Sequence, residues 1–115
     1  MTALIPVDTS ATPETGAPAE DRVLAGKPVS NTWNAYASAD NKFFSGIWES
    51  EPGKWRIEYT EHEFCHIIEG ESVIADEAGT ETRVQAGDAF IIPAGFKGTW
   101  EVVRKTRKHY AIYEA

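Results

Sequence analysis

The stretch that decides the fold is Gly87-Asp88-Ala89-Phe90-Ile91-Ile92-Pro93-Ala94-Gly95. Its apolar run, from Ala89 to Ile92, is too short for a helix and ends in a pair of β-branched isoleucines, which favours a buried strand. The glycine and aspartate before the run and the proline and glycine after it predict turns on both sides. The stretch is therefore predicted to be a short buried strand between turns.

Two upstream segments also have strand patterns. Apolar residues dominate the run from Phe64 to Ile68, and Glu69-Gly70 after it is predicted to be a turn. Before this run, Lys54 to Thr60 alternates, with aromatic and aliphatic side chains on one face and charged ones on the other. That alternation predicts a half-buried strand.

The whole chain from Trp33 onward repeats this spacing. Short strands separated by turns every eight to twelve residues or so are typical of an all-β sandwich or barrel. No segment supports a helix of three turns. The predicted strands are Phe43–Trp48, Lys54–Thr60, Glu63–Gly70, Glu71–Asp76, Thr80–Gln85, Ala89–Ile92, Thr99–Val103 and His109–Tyr113, with a turn at Arg104-Lys105-Thr106 before the last.

Length and composition narrow the class of protein. The 115 residues suit one domain, and the net charge of -7 argues against a nucleic-acid partner. One cysteine cannot form an internal disulfide, which favours a reducing compartment. No apolar run is long enough for a membrane span, and no signal-peptide pattern is present. We expect a cytoplasmic protein without a membrane partner. Residues 1–25, rich in Ala, Thr and Pro, are predicted to be a flexible N-terminal arm, and residues 26–115 the folded domain.

The glycine and proline spacing resembles that of a known family. Gly87, Pro93 and Gly95 have the spacing that opens the second cupin motif, and Glu63 and Gly70 have the spacing that ends the first. Over residues 26–115 the chain is similar to the small cupins grouped with (S)-ureidoglycine aminohydrolase. This resemblance implies a cupin jelly-roll barrel, an antiparallel double sheet. The segments that carry it are Glu61–Gly70, Ala86–Phe90, Gly98–Val102 and Arg107–Tyr110.

The resemblance also implies where a cupin metal would be held, namely at Ile57, Tyr59, Glu63 and Gly98. Ile57 and Gly98 have no donor atom, and a tyrosine binds a divalent ion well only when deprotonated, near pH 10. The glutamate, histidine and glutamine ligands of ureidoglycine aminohydrolase are missing at the same positions. One remaining carboxylate holds a divalent ion weakly. We therefore expect no metal or other cofactor, with a divalent metal as the alternative.

A local cluster of Glu61, His62, Glu63 and His66 is the fallback metal site. Strand alternation opposes it, because Glu63 and His66 are sent to opposite faces. We predict that His62 is solvated and that His66 packs at a subunit interface.

The inner face of the barrel provides the candidate ligand-binding residues. Alternation turns the aromatic and polar side chains of four strands toward one another, and Gly98 in place of a histidine is predicted to leave room among them. This describes an aromatic-lined cavity with one carboxylate, although aromatic side chains that simply fill a small barrel would give the same pattern. The candidates are Trp55, Tyr59, Glu63, Cys65, Trp100, Lys108 and Tyr110.

Glu63 is the candidate catalytic residue. A carboxylate in these surroundings must be paired or protonated, and Lys108 is the predicted partner. The Glu63–Lys108–Tyr59 group is interpreted first as a structural replacement for the lost metal, and alternatively as a group for binding or acid–base chemistry. Cys65 is predicted to be an apolar filler, since no histidine shares its face.

Two classes of function remain open. In the first, a small cupin binds a small polar metabolite in its barrel without a full metal site. In the second, a metal-dependent or Glu63-based enzyme of the ureidoglycine aminohydrolase type acts on a small nitrogen-containing metabolite. In both, the outward set Phe64, His66 and Ile68 is too apolar for water and predicts a homodimer.

Overall fold

The computed structural model describes residues 2–115. These residues form nine strands and a single 3-10 turn, so the all-β prediction is confirmed. None of the described helices is long and apolar enough to cross a membrane. The elements are β1 (Glu14–Gly16), the 3-10 turn (Glu20–Arg22), β2 (Val23–Gly26), β3 (Ser30–Ala37), β4 (Phe43–Ser50), β5 (Gly53–Glu58), β6 (His62–Asp76), β7 (Glu81–Gln85), β8 (Ala89–Ile92) and β9 (Lys97–Tyr113).

Strand β9 is the centre of the sheet. Strand β6 lies antiparallel along one of its edges, from His62 opposite Tyr113 to Asp76 opposite Gly98. On the other edge, β4 pairs with the second half of β9 and β5 pairs with the first half. The sheet continues from β4 to β3 and β1, and from β5 to β2, while β7 and β8 pair with the far edge of β6. Strands β6 and β9 are long enough to run through both halves of the sheet, the half that contains β4 and the half that contains β5. The sheet therefore curls into an antiparallel barrel.

Two predicted turns are wrong, and they face each other. The chain does not turn at Glu69-Gly70, because β6 is continuous there, and it does not turn at Arg104–Thr106, which lies within β9. Instead the register between the strands shifts near Glu69 and Glu71. Gly70 has a φ of +90°, and a side chain on it would overlap the Lys105 carbonyl, so only glycine fits this bend. The turn-like residues mark the place where two long strands bend together.

The core lies between the two halves of the barrel. Trp55, Ile57, Cys65, Ile67 and Trp100 are all buried there, as the alternation predicted. Hydroxyl groups satisfy the polar atoms near the bend, where the Trp100 indole N–H donates to Ser72 Oγ and Ser72 shares a hydrogen bond with Thr106. The inner face predicted from the sequence is thus the inner face of the barrel.

The N-terminal segment contributes two short strands where the sequence predicted an arm without a stable fold. Strand β1 pairs with β3 and β2 pairs with β5, both within the same chain. These pairings place β1 and β2 at the two ends of the strand order that passes through β9. The residues between them therefore bridge the two halves of the barrel.

Candidate functional site

A cavity of about 600 Å³ opens into the barrel. Trp48, Trp55 and Trp100 line it together with Phe44 and Tyr59. Trp48 packs on both other indoles, with ring centroids 6.1 Å from Trp55 and 5.7 Å from Trp100. The aromatic side chains therefore wall a space instead of filling it, and its volume lies within the range of about 300–1,000 Å³ that small-molecule sites occupy.

A charged hydrogen-bond chain lies at the floor of this cavity. The Lys108 ammonium donates to Glu63 Oε2 at 2.9 Å, and the Tyr59 hydroxyl donates to Glu63 Oε1 at 2.6 Å. Only 6% of the Lys108 side chain and 4% of the Glu63 side chain are exposed. The contact predicted between these two residues is present, and Tyr59 completes it.

Lys108 lies among groups that favour a cation. Its Nζ atom is 4.4 Å from the ring centroid of Trp100 and 4.8 Å from that of Trp48, over the ring faces. Burial, the largest single effect, lowers the pKa of the Lys108 ammonium, but the Glu63 carboxylate and the Cys65 sulfur together outweigh it, and the net direction is upward. Lys108 is therefore a buried ammonium at neutral pH and is not poised as a nucleophile.

The neighbouring acidic groups are held protonated. Burial, and after it the Glu63 carboxylate, raises the pKa of the Tyr59 hydroxyl well above its ordinary value. Burial also raises the pKa of the Cys65 thiol to about 12, although the Lys108 ammonium, 3.8 Å from the sulfur, opposes that shift. The thiol is fully buried, so Cys65 has neither the thiolate character nor the access of a reactive cysteine.

Tyr110 provides a second polar group on the cavity wall. Its hydroxyl donates to Asn34 Oδ1 at 2.6 Å. Burial, and then the Glu63 carboxylate, raises the pKa of Tyr110 to about 12. The wall thus presents a neutral hydroxyl and an amide beside the Lys108–Glu63 pair.

Most of the candidates named from the sequence meet at this cavity. Cys65 does not line it and lies behind the Lys108 ammonium. Sequence reasoning missed Trp48, although Phe44 and Trp48 share one face of β4 by alternation. It also missed Arg22, because the N-terminal segment has no period that predicts which way its side chains point. The predicted residues that line the cavity are Trp55, Tyr59, Glu63, Trp100, Lys108 and Tyr110.

The residues at the cupin metal positions do not fit a metal ion. Both oxygens of Glu63 already accept hydrogen bonds, one of them from a buried ammonium. The expectation that Gly98 leaves room is wrong. A Cβ atom at Gly98 would overlap the backbone carbonyl oxygen of Ala75 on β6, so the close approach of two strands occupies that space.

The fallback cluster is not brought together either. Glu63 points into the barrel, whereas His62 is exposed and accepts a hydrogen bond from the backbone N–H of Ala94 at Nδ1. His66 lies on the other face of β6, stacked on His109 with ring centroids 6.0 Å apart. Within residues 2–115, no group of three or more histidine, cysteine or carboxylate side chains has the arrangement of a metal site.

Comparison with known proteins supports the fold. Residues 37–110 match the family model described as the EutQ-like cupin domain. A DUF861-family protein of unknown function from Pseudomonas syringae pv. tomato is 24% identical, with a TM-score of 0.83 over 92% of this chain and 46% of that one. The EutQ protein of Clostridium difficile is 21% identical, with a TM-score of 0.67 over 76% of this chain and 64% of that one. A predicted oxalate decarboxylase from Thermotoga maritima is 18% identical, with a TM-score of 0.75 over 98% of this chain and 100% of that one.

These similarities confirm the predicted cupin jelly roll. At such identities the solved structures show the fold alone, and the chain spans less than two thirds of the P. syringae and C. difficile proteins. No curated protein matched the chain. The narrower resemblance to the ureidoglycine aminohydrolase group is not confirmed, because the match is to the broader family.

Proposed function

Because the chain belongs to the EutQ-like cupin domain family, we propose that its barrel binds a small polar metabolite without a complete metal site. The observation that carries this proposal is the Lys108–Glu63 pair at the floor of an aromatic-walled cavity. A buried ion pair that only replaced a metal would need no open space beside it. Here both side chains line the cavity.

The pair has hydrogen-bonding capacity left for a ligand. An ammonium carries three donors, and Lys108 uses one on Glu63 and a weak one on the Cys65 sulfur. A carboxylate has about four acceptor sites, of which Tyr59 and Lys108 use two. A ligand that carries a hydrogen-bond acceptor beside a donor therefore bonds at the floor of the cavity both to the Lys108 ammonium and to the Glu63 carboxylate.

The walls select the rest of the ligand. The three indoles of the wall remove an aliphatic or flat apolar group from water, and a flat aromatic group also stacks favourably on them. The ligand is thus a compact molecule with a polar end for the floor and an apolar body for the walls. This division into an apolar lining and a few placed polar groups is typical of small-molecule sites.

The geometry does not favour the alternative, an enzyme of the ureidoglycine aminohydrolase type. A metal-dependent mechanism lacks ligands at Ile57 and Gly98, and a Glu63-based one begins with a carboxylate that is already ion-paired to Lys108. Metal analysis of the untagged protein separates the two functions. Binding without a resident metal predicts far less than one ion per chain, whereas a stoichiometric metal that is lost in Glu63→Gln would overturn the metal-free proposal and favour the enzyme alternative.

The tryptophans provide the test of binding itself. Trp33 lies outside the cavity, under the Arg107 guanidinium, so Trp33→Phe leaves only cavity-lining indoles as fluorophores. In this background we expect saturable quenching or enhancement by small amides, ureas or hydroxy compounds with an apolar body. Tyr59→Phe, which removes a donor from Glu63, should change their affinity. If no compound in such a panel gives saturation, the proposal is wrong.

A further inference from the structure

A short segment crosses the mouth of the cavity. Strand β1 is attached to the β3 side of the barrel and β2 to the β5 side, so residues 17–22, here called the strap, pass from one side to the other. Ala17, Pro18 and Arg22 of the strap line the cavity. The strap is fixed to β5 by the Arg56 guanidinium, which donates to the backbone oxygen of Asp21. A ligand in the barrel therefore lies under the strap.

The charges around the mouth are unevenly matched. Glu63 at the floor is neutralised by Lys108, and Glu58 lies 3.8 Å from Lys97. In the described part of the chain, the guanidinium of Arg22 makes no ion pair or hydrogen bond, and that of Arg56 contacts only a backbone oxygen. Within residues 2–115, Glu61 is the one cavity-lining carboxylate that has no cationic partner, and its Oε1 atom accepts a hydrogen bond from the backbone N–H of Thr60. The cavity lining thus holds three cations and three carboxylates, and among these cations Arg22 is the one whose side chain has no ion-pair or hydrogen-bond partner in the described residues.

We propose that Arg22 is a specificity-determining residue that selects ligands with a carboxylate at the end facing the strap. This inference rests on the proposed function, since it concerns the outer end of the same ligand. A guanidinium pairs a carboxylate with two parallel hydrogen bonds, and it is the residue type best suited to that geometry. A singly charged carboxylate also suits this mouth better than a doubly charged phosphate group, because Glu61 repels the second charge.

The ligand that satisfies both ends is a small carboxylic acid with a flat apolar body. Its carboxylate lies against Arg22, its body between Trp48, Trp55 and Trp100, and any further polar group at Lys108 and Glu63. Because Arg22 is part of the strap, such a ligand also ties the strap to the barrel. An uncharged ligand of the same shape leaves the strap as it is.

Matched pairs of probes test the selection. We would measure dissociation constants for phenylacetate against phenylacetamide and for indole-3-acetate against indole-3-acetamide, using the native protein, Arg22→Gln and Lys27→Gln. Lys27→Gln is the control, since it removes the same charge from an exposed residue nearby that does not line the cavity. We expect the native protein and the control to bind the carboxylate about tenfold more tightly than the amide. This ratio corresponds to the lower end of the range of free energies for a hydrogen bond to a charged group.

In Arg22→Gln the preference should fall to about twofold or less. If acids and amides bind the native protein equally, or if the preference survives in Arg22→Gln, Arg22 has no such role and the proposed function still stands. If neither these probes nor any compound of the wider panel of amides, ureas and hydroxy compounds binds, the proposed function fails, and this inference fails with it.

Amide hydrogen exchange in the strap provides a second measurement, which a non-specific change in the charge of the protein does not alter. Phenylacetate or indole-3-acetate should slow amide exchange in residues 17–22 of the native protein and of Lys27→Gln. Neither the amide probes nor either acid with Arg22→Gln should slow it. Equal protection by acids and amides would show that the strap responds to occupancy alone and would contradict a contact between Arg22 and the carboxylate.

Discussion

The ammonium of Lys108 lies 2.9 Å from Glu63 Oε2 and 4.4 Å from the ring centroid of Trp100, so the barrel contains a cation that belongs to the chain itself. Glu63 stands at the one cupin metal position that keeps a metal-binding side chain. The lysine provides the cation that pairs with this carboxylate. The charge at the floor is therefore balanced before any ligand enters.

The first prediction concerns the stability of this pair. Lys108→Met keeps the length of the side chain but leaves the Glu63 carboxylate buried without a cation, and we expect a loss of about 3–5 kcal/mol in the free energy of unfolding. Glu63→Gln should cost less, about 1–3 kcal/mol, because an amide still accepts from Lys108. Urea unfolding of the single and double variants measures both costs and the coupling between the residues.

The control for that series is Arg83→Met. Arg83 pairs with Glu71 on the surface, where its side chain is 61% exposed, so its loss should cost less than about 1 kcal/mol. A Lys108→Met variant no less stable than Arg83→Met would show that the buried pair contributes little. A Glu63→Gln variant as stable as the native protein would show that the carboxylate is kept for binding, at a cost to the fold.

The second prediction is a loss of stability at high pH. The pKa values of the Cys65 thiol and the Tyr110 hydroxyl are raised to about 12, and those of Tyr59 and Lys108 also shift upward. Each group binds its proton more tightly in the folded state. Its stabilising contribution is therefore complete below its unfolded pKa, about 8.5 for cysteine and 10 for tyrosine and lysine, and is lost as pH rises above that value.

Urea unfolding between pH 7.5 and 11 checks this prediction. We expect the free energy of unfolding to begin to fall near pH 9 and to fall more steeply above about pH 10. In Cys65→Ser the first part of the decrease should disappear and the second part remain. Constant or rising stability from pH 9 to 11 would contradict the upward shifts.

The sequence predicted the elements whose signals are local. The bounds of β8 were correct because glycine, aspartate and proline bracket its apolar run, but the prediction that it is buried was wrong, since Ala89 and Ile91 are exposed on a strand that pairs only with β6. The Glu63–Lys108 contact followed from alternation on two strands that pair. Gly70 was misread because a glycine with positive φ occurs in turns and at bends between long strands alike. The strap could not be predicted, since its position depends on pairings of β1 and β2 with distant strands.

The third prediction concerns Gly98, where two strands approach each other closely, a role that only the structure reveals. Gly98→Ala places a methyl group against the carbonyl of Ala75, so the two strands must separate, and we expect a loss of about 1–3 kcal/mol. Gly16→Ala is the matched control, because a Cβ atom there meets nothing within 4 Å. Its free energy of unfolding should stay within about 0.5 kcal/mol of the native value. Equal effects of the two substitutions would show that Gly98 is not tightly enclosed.

The fourth prediction is a homodimer formed through the outer face of β6 and β8. Phe64 is 44% exposed and Ile91 opposite it is 59% exposed, so two large apolar side chains lie together on the surface. Sedimentation at micromolar concentration should show a dimer, and Phe64→Glu should shift it to monomer. Val103→Glu, a change at another exposed apolar residue, should leave the dimer intact. A native protein that sediments as a monomer would exclude this interface.

Isoleucine methyl groups give the most direct test of the central claim, that small polar molecules bind inside this barrel. Ile57 and Ile112 line the cavity, and Ile91 lies on the outside, so one labelled sample contains both the reporters and the control. In methyl NMR titrations with small amides and carboxylic acids that have an apolar body, we predict saturable shifts of Ile57 and Ile112 while Ile91 stays unchanged. An absence of shifts across the panel, or shifts confined to Ile91, would contradict the account.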